Sequence, residues 1–203
     1  ARLDAGEIII DGSVVQDILG PNGEILTGVK LAAYHEKNAN LFFTEAVEGV
    51  RAIYNVKVTP KTARDNVYRF LCFKQAAESG NCYKDERGNW HVISSTGAHA
   101  AMQFIGSTAE EVNGWRLDQH HKLFNFSADL SELKRIAENG DAVYGLDYMY
   151  QYSMAFLYLY SWSEIYDGMS NHQVKTRTGV RNMIVRIMEG DTSLELFDAA
   201  YMQ

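Results

Sequence analysis

The stretch from Met149 to Trp162 constrains the fold more than any other part of this chain. It is strongly apolar and aromatic, with interruptions by Tyr, Gln and Ser only. It is shorter than the roughly 20 residues that a membrane-spanning helix needs. A helix that is apolar on all sides is buried inside a domain. We therefore predict a central buried helix over about residues 141–167, with Asp141 as its N-cap, and no membrane span.

Helical signals surround this stretch. From Lys30 to Tyr54 the apolar residues recur at helical spacing. Thr59 is a good N-cap and Pro60 fits the first helical position, so they start a helix that we expect to end near Ser79. Further helices are predicted over about residues 98–105, 108–113, 128–138 (with Ser127 as cap), 176–190 and 193–201. The predicted fold class is therefore mainly α.

Two segments carry turn signals instead. The first 28 residues contain five glycines and the turn sequence Pro21-Asn22-Gly23, and their short apolar runs fit either strands or short helical turns. Between Cys82 and Ser95, a polar turn precedes a short run of strand composition. We predict a small β-hairpin there.

Composition limits the classes of function. A chain of 203 residues, 46% hydrophobic and 22% charged, is typical of a globular protein with one core and room for an extension. Its net charge of −7 gives no electrostatic reason to bind nucleic acid, which usually requires a basic face. Nucleic acid is therefore not an expected partner.

The cysteines and histidines indicate no metal site and no cofactor. Cys72 and Cys82 fit either a disulfide or two free thiols. Neither a CxxC motif nor an HxxxH spacing is present, so we expect no bound metal. A Cys/His hydrolase built on Cys82 with His91 or His99 is an alternative that rests only on their proximity in the sequence.

The most informative motif follows the helix that starts at Pro60. Its four segments stand in order along the chain: Glu78-Ser79, Gly97-Ala98, Met102-Gln103-Phe104 and Thr108-Ala109. Together they resemble the signature of the lytic transglycosylase and goose-type lysozyme group, which cleaves the glycan strands of peptidoglycan. The resemblance covers about residues 58–197, although the loop between Glu78 and Gly97 is longer than in many relatives and Ala100 stands where the family usually has a second glycine.

The resemblance implies a fold and a domain organisation. The fold would be lysozyme-like: mainly α, with a small β-hairpin, an N-terminal extension and a cleft between lobes that holds Glu78 at its floor. Residues 58–203 would form the catalytic domain. Residues 1–57 would be the extension, which either packs on this domain or mediates its attachment to an assembly.

Elementary chemistry supports Glu78 as the catalytic acid. A glycosidic bond breaks when its bridging oxygen is protonated, so the acid must hold its proton near neutral pH. A free Glu, with a pKa of about 4.3, does not. Glu78 lies at the predicted C-terminal end of a helix, where the negative end of the dipole disfavours a carboxylate, and burial beside Leu71 would act in the same direction. The alternative is a solvated Glu at a frayed helix end.

A second carboxylate is harder to assign. Asp85 and Glu86 either lie across the cleft as a base or are turn residues in water. The transglycosylases that the chain resembles use one Glu, which protonates the leaving oxygen and then accepts the proton of the sugar's own 6-hydroxyl. We therefore expect a 1,6-anhydro product rather than simple hydrolysis.

Substrate contacts are assigned in two ways. The resemblance places Ser79, Met102 and Gln103 against the sugars near the cut, where a Gln amide offers a donor and an acceptor to an N-acetyl group. Alternatively, Met102 lies in the core and Gln103 faces water. Aromatic rings stack on sugars, and we choose Tyr160 from the tyrosines of the apolar helix, most of which must be core.

Three hypotheses of function follow. The first is an enzyme that cuts the glycan strand between N-acetylmuramic acid and N-acetylglucosamine. The second is a lysozyme-like structural or wall-binding module with little activity, and the third is an unrelated helical interaction protein. Bacterial walls are anionic, so an acidic enzyme gains no electrostatic attraction to them. The net charge therefore indicates delivery by a phage virion or a secretion assembly. We expect a periplasmic, secreted or virion-associated location.

Overall fold

The computed structural model of the chain describes residues 7–10, 13–79, 102, 106–111, 124, 126–164 and 177–193. These residues are mainly helical, which confirms the predicted mainly α class. The chain divides into two compact units, Ala1–Asn38 and Ala39–Gln203. The division falls within the first helix, α1 (Gly28–Ile53), so the second half of α1 belongs to the second unit.

A short antiparallel hairpin lies in the first unit. Strand β1 (Glu7–Ile10) pairs with strand β2 (Ser13–Gln16). The predicted turn comes next in the chain, where the Gly23 N–H donates to the Gly20 carbonyl oxygen over 3.0 Å. Gly23 has a φ of +79°, which favours glycine. Because β1 and β2 pair with each other, their apolar runs are strands rather than short helical turns.

The predicted helix start at Thr59 is confirmed. Helix α2 (Pro60–Ser79) begins at the predicted proline, and the Thr59 Oγ1 accepts the Thr62 N–H over 3.1 Å. This bond satisfies one of the N–H groups that the first turn of a helix leaves without a partner. The predicted end of α2 near Ser79 is confirmed as well.

The remaining described helices lie in the second unit: α3 (Gly106–Glu111), α4 (Ser131–Glu138), α5 (Tyr148–Glu164) and α6 (Arg177–Met188). Helices α3 and α6 confirm those predicted near residues 108–113 and 176–190. The predicted hairpin at 82–95, the helix at 98–105 and the last helix beyond Ser193 fall outside the described residues.

The N-cap predicted at Ser127 is wrong. The Ser127 N–H donates to the Glu45 carboxylate of α1, with 3.0 Å to Oε2, and the Ser127 hydroxyl donates to the same carboxylate. Helix α4 starts later, where the Asp129 Oδ1 accepts the Ser131 N–H over 3.0 Å. The serine is therefore held by a distant carboxylate of another helix instead of capping its own.

The N-cap predicted at Asp141 is also wrong. Asp141 lies in a short 3₁₀ helix, Gly140–Gly145, that precedes α5. The Asp147 Oδ1 instead accepts the Met149 N–H over 2.9 Å at the start of α5. Aspartate has the same capping chemistry at both positions, and the 3₁₀ turn decides which one the helix uses.

The predicted central helix is confirmed as the middle of the core. Every residue of α5 from Met149 to Ser161 is buried. The core also includes Phe42 and Phe43 of α1, Leu71 of α2 and Ile184 of α6. Among the described residues, no helix combines the length and the apolar character that a bilayer crossing requires.

Candidate functional site

Helix α2 carries Glu78 in its last turn. The helix ends at Ser79, and no basic residue lies in that turn. The carbonyl groups of a helix C-terminus make its end electronegative, which disfavours a nearby carboxylate and raises its pKa. The backbone of Glu78 lies in this last turn, while the side chains of Glu78 and Ser79 fall outside the described part of the chain.

A buried lysine lies one helical turn before Glu78. Lys74 is 1% exposed, and its Nζ lies 5.5 Å from the centroid of the Phe70 ring. Residues four apart share one face of a helix. An ammonium on that face favours an ionised carboxylate, which opposes the effect of the helix terminus. Lys74 is thus the last basic residue along α2 before Glu78.

Sequence reasoning missed Lys74, although the pattern contained a signal. Val67, Phe70 and Leu71 are buried, and Lys74 follows Val67 by seven residues on the same face. The spacing alone would have placed Lys74 in the core. Its charge argued for solvent, because lysines are rarely fully buried unless they are paired.

A polar cluster joins the C-terminal half of α2 to α5. The Tyr152 hydroxyl donates to the Gln75 Oε1 and lies 3.7 Å from the Cys72 Sγ. The rings of Tyr68 and Tyr148 flank Tyr152 at centroid distances of 5.8 and 6.5 Å. Burial raises the pKa of the Tyr152 phenol, and its contact with Cys72 adds to this effect. The cluster therefore links residues 68–75 of α2 to α5.

This arrangement does not test whether Cys72 forms a disulfide with Cys82. Cys72 is half-buried in the cluster, and its possible partner Cys82 falls outside the described residues. The described residues hold no group of three or more His, Cys, Asp or Glu side chains arranged to bind a metal ion.

Met102 of the motif lies in the core. Its side chain is 8% exposed, and its N–H donates to the Gln151 Oε1 of α5 over 3.4 Å. A methionine buried in this way packs against protein, as in the alternative considered from the sequence. Gln103, which follows it, falls outside the described residues.

Tyr160 also lies in the core. It is 2% exposed, and its ring packs at 5.7 Å, centroid to centroid, from both Tyr54 and Phe124. A ring in this place contributes to the packing of α5 against Tyr54, just beyond the end of α1, and against Phe124, and it presents almost no surface on which a sugar could stack. The structure thus brings Met102 and Tyr160 into one core, with Glu78 and Ser79 at the end of α2.

Comparison of the chain with protein-family models, with curated proteins and with solved structures finds no match.

Proposed function

We propose that this chain cleaves the glycan strand of peptidoglycan between N-acetylmuramic acid and N-acetylglucosamine, with Glu78 as general acid and base. The observation that carries the proposal is the position of Glu78 in the last turn of α2, which lacks a basic residue. A carboxyl group at a helix C-terminus is favoured in its protonated form. A proton held near neutral pH is what the departing sugar oxygen needs.

The motif after α2 gives the proposal its substrate class. Gly97-Ala98, Met102-Gln103-Phe104 and Thr108-Ala109 follow Glu78-Ser79 as in the transglycosylases and goose-type lysozymes that the chain resembles. In this proposal the fold is lysozyme-like, and Ser79 and Gln103 contact the sugars beside the cut. Residues 58–203 act as the catalytic domain and residues 1–57 as an extension.

The route that we propose needs one carboxyl group. Glu78 gives its proton to the leaving oxygen, and the carboxylate then accepts the proton of the 6-hydroxyl, whose oxygen closes onto C1. The product is a 1,6-anhydro sugar, and no water is consumed. The net charge of −7 favours delivery to the anionic wall by a virion or a secretion assembly over free diffusion.

The test is digestion of purified peptidoglycan, with the products resolved by mass spectrometry. Wild type, Glu78→Gln and Asp65→Asn are compared, because Asp65 is a solvent-exposed carboxylate on the same helix. We expect anhydro-muropeptides from wild type and Asp65→Asn, and none from Glu78→Gln. Reducing-end products would identify a hydrolase with the same acid.

Three other outcomes would contradict the proposal. Binding to the wall without any products from the wild type would identify a wall-binding module. A wild type that neither cuts nor binds would show that the motif match is accidental. Equal activity of Glu78→Gln and wild type would remove Glu78 from the mechanism.

A further inference from the structure

Three tyrosines, Tyr68, Tyr152 and Tyr148, form a row across the seam between α2 and α5. The Tyr152 ring lies in the middle, with its centroid 5.8 Å from that of Tyr68 and 6.5 Å from that of Tyr148. Tyr152 is 3% exposed, whereas Tyr68 is 42% exposed and Tyr148 is half-buried. The two outer rings of this tyrosine row therefore reach the surface, and the central ring supports them from the core.

The polar groups around the tyrosine row hold it in place. The Tyr152 hydroxyl donates to the Gln75 Oε1 and lies 3.7 Å from the Cys72 Sγ. Cys72 also lies close enough to the Tyr68 phenol to raise its pKa. A tyrosine side chain has two torsions, so a ring that its neighbours already hold binds a ligand at little further cost in conformational entropy. The row is therefore a preorganised contact surface.

The chemistry of this surface suits a carbohydrate. Sugar rings present C–H faces that stack on aromatic rings, and hydroxyl groups that bond phenols and amides. The tyrosine row and the side chains beside it offer both kinds of group, and all are uncharged at neutral pH: Tyr68, Cys72, Gln75, Tyr148 and Tyr152. An uncharged surface does not repel an anionic wall polymer, although the whole chain carries a net charge of −7.

The tyrosine row lies along the helix that carries Glu78. Gln75 precedes Glu78 by three residues and Tyr68 precedes it by ten, which is about 4.5 Å and about 15 Å along the axis of α2. One sugar ring does not span the longer distance. A polymer that is cut at Glu78 and lies along α2 would therefore meet Tyr68 with sugars other than the two beside the broken bond.

We propose that the tyrosine row binds the glycan strand of peptidoglycan away from the bond that is cut, with sugar rings stacked on Tyr68 and Tyr148. This inference rests on the proposed function, which supplies the polymer. Tyr152 stays in the core and supports the two outer rings. Because contacts with remote parts of a substrate add binding energy that a short substrate lacks, the protein prefers long strands to short fragments.

The test compares Tyr68 with an exposed aromatic residue elsewhere on α2. Tyr68→Leu removes the aromatic face and keeps an apolar side chain, and Tyr68→Phe is the rescue variant because it keeps the ring. Phe73→Leu is the control: Phe73 is 47% exposed on the same helix, about 140° around its axis from Tyr68. Tyr148→Leu tests the other end of the row.

Binding is measured by calorimetry with peptide-free glycan strands, long and short, in the Glu78→Gln background that keeps the strands intact. We expect Tyr68→Leu and Tyr148→Leu to raise the Kd of long strands roughly 5- to 10-fold and to reduce the preference for long over short strands. Tyr68→Phe and Phe73→Leu should stay within about twofold. An unchanged Kd in Tyr68→Leu would overturn the inference, and so would equal weakening in Phe73→Leu.

A measurement without substitution in the row decides if Tyr68→Leu does not fold. Hydroxyl-radical footprinting compares the labelling of Tyr68 and Phe73 with and without long strands. Protection of Tyr68 that exceeds any protection of Phe73 supports the inference. Equal labelling of Tyr68 in both conditions, or equal protection of the two residues, overturns it.

The outcomes keep this inference distinct from the proposed function. If the chain binds long strands through Tyr68 but the wild type does not cleave them, the proposed catalysis is wrong and the inference stands. If the wild type cleaves and Tyr68→Leu binds long strands as tightly as its parent, the inference is wrong and the proposed function stands. A chain that does not bind strands ends both.

Discussion

The side-chain amide of Asn66, near the start of α2, donates to the carbonyl oxygen of Met188 at the end of α6 over 2.8 Å. Nearby, an Arg69 guanidinium nitrogen lies 3.3 Å from the Gly190 carbonyl oxygen, and Gly190 adopts a φ of +85°. The last carbonyl groups of a helix have no partner within it. Helix α2 therefore completes the C-terminus of α6.

We expect Asn66→Ala to lower the free energy of unfolding by about 1–2 kcal/mol, because it leaves a part-buried carbonyl without its donor. Urea denaturation measures the change. Asp65→Ala is the matched control: it removes an ion pair with Lys61 that is exposed to solvent, so its effect should stay within about 0.5 kcal/mol. Equal losses in the two variants would contradict the capping role.

Gly49 marks a close approach between α1 and Phe124. An ideal Cβ on Gly49 would lie 2.3 Å from the Phe124 Cδ1, in a ring that is buried. In an open helix, Gly→Ala stabilises by roughly 0.5–1 kcal/mol. Here we expect the opposite sign, a loss of about 1–3 kcal/mol in Gly49→Ala, measured by urea denaturation.

The clash predicts non-additivity. Phe124→Ala removes the Cγ, Cδ1 and Cε1 atoms that a Cβ at position 49 would meet, so Gly49→Ala should cost less in that background than in wild type. The same cost in both backgrounds would show that the ring does not limit position 49.

Glu45 holds the chain that leads to α4. Its carboxylate accepts the N–H groups of Ser127 and Ala128, at 3.0 and 3.2 Å from Oε2, as well as the Ser127 hydroxyl. Glu45→Gln keeps the shape but replaces one acceptor oxygen by a donor, and we expect a loss of about 1.5–3 kcal/mol in chemical denaturation. Glu48→Gln, which affects an i,i+3 pair with Arg51 on the same helix, should change stability by at most about 1 kcal/mol.

Tyr152 should make stability fall at alkaline pH. Burial raises the pKa of its phenol in the folded state, so the unfolded chain ionises first, at a pKa of about 10. The stability contribution is therefore complete below that value and is lost as pH rises above it. Between about pH 8 and about pH 10.5, the free energy of unfolding should fall more in wild type than in Tyr152→Phe. Equal slopes of the free energy of unfolding against pH in the two proteins would show that folding does not raise the pKa of the Tyr152 phenol.

If the chain cleaves glycan strands with Glu78 as the acid, as proposed, Lys74 should set the alkaline limit of cleavage. A general acid loses activity as pH rises through its pKa, and removing a neighbouring ammonium raises the pKa of a carboxyl group. In Lys74→Met the alkaline limb of the kcat–pH profile should therefore move to higher pH. Lys61→Met is the control, since Lys61 is exposed and lies about 25 Å from Glu78 along α2. If the alkaline limb does not move in Lys74→Met, Lys74 does not influence the ionisation of Glu78.

Local sequence signals predicted a helix boundary well where one or two neighbouring residues determine it. Thr59 and Pro60 fix the start of α2 through chemistry that lies within one turn. The burial of α5 was predictable from its composition, because a helix that is apolar on all sides is buried inside a domain. The last turn of α2 placed Glu78 where the sequence predicted it.

The same reasoning failed where the hydrogen-bond partner of a residue lies far away in the sequence. Ser127 has good capping chemistry, but Glu45, 82 residues earlier, takes its hydrogen bonds. The bond between Met102 and Gln151 spans 49 residues and has no local signal. Sequence reasoning chose Tyr160 as the aromatic of α5 that could stack on a sugar, yet every residue from Met149 to Ser161 is buried, so no periodicity distinguished it.

The burial of α5 on every side also governs how this protein can diverge. A surface helix accepts substitutions on its solvent face, whereas in α5 each change of volume is felt by close-packed neighbours. Random mutagenesis should find no tolerant stripe between Met149 and Ser161. Distant relatives would then be recognisable by the order of large and small residues in this one helix, long after α1 and α2 have lost their similarity.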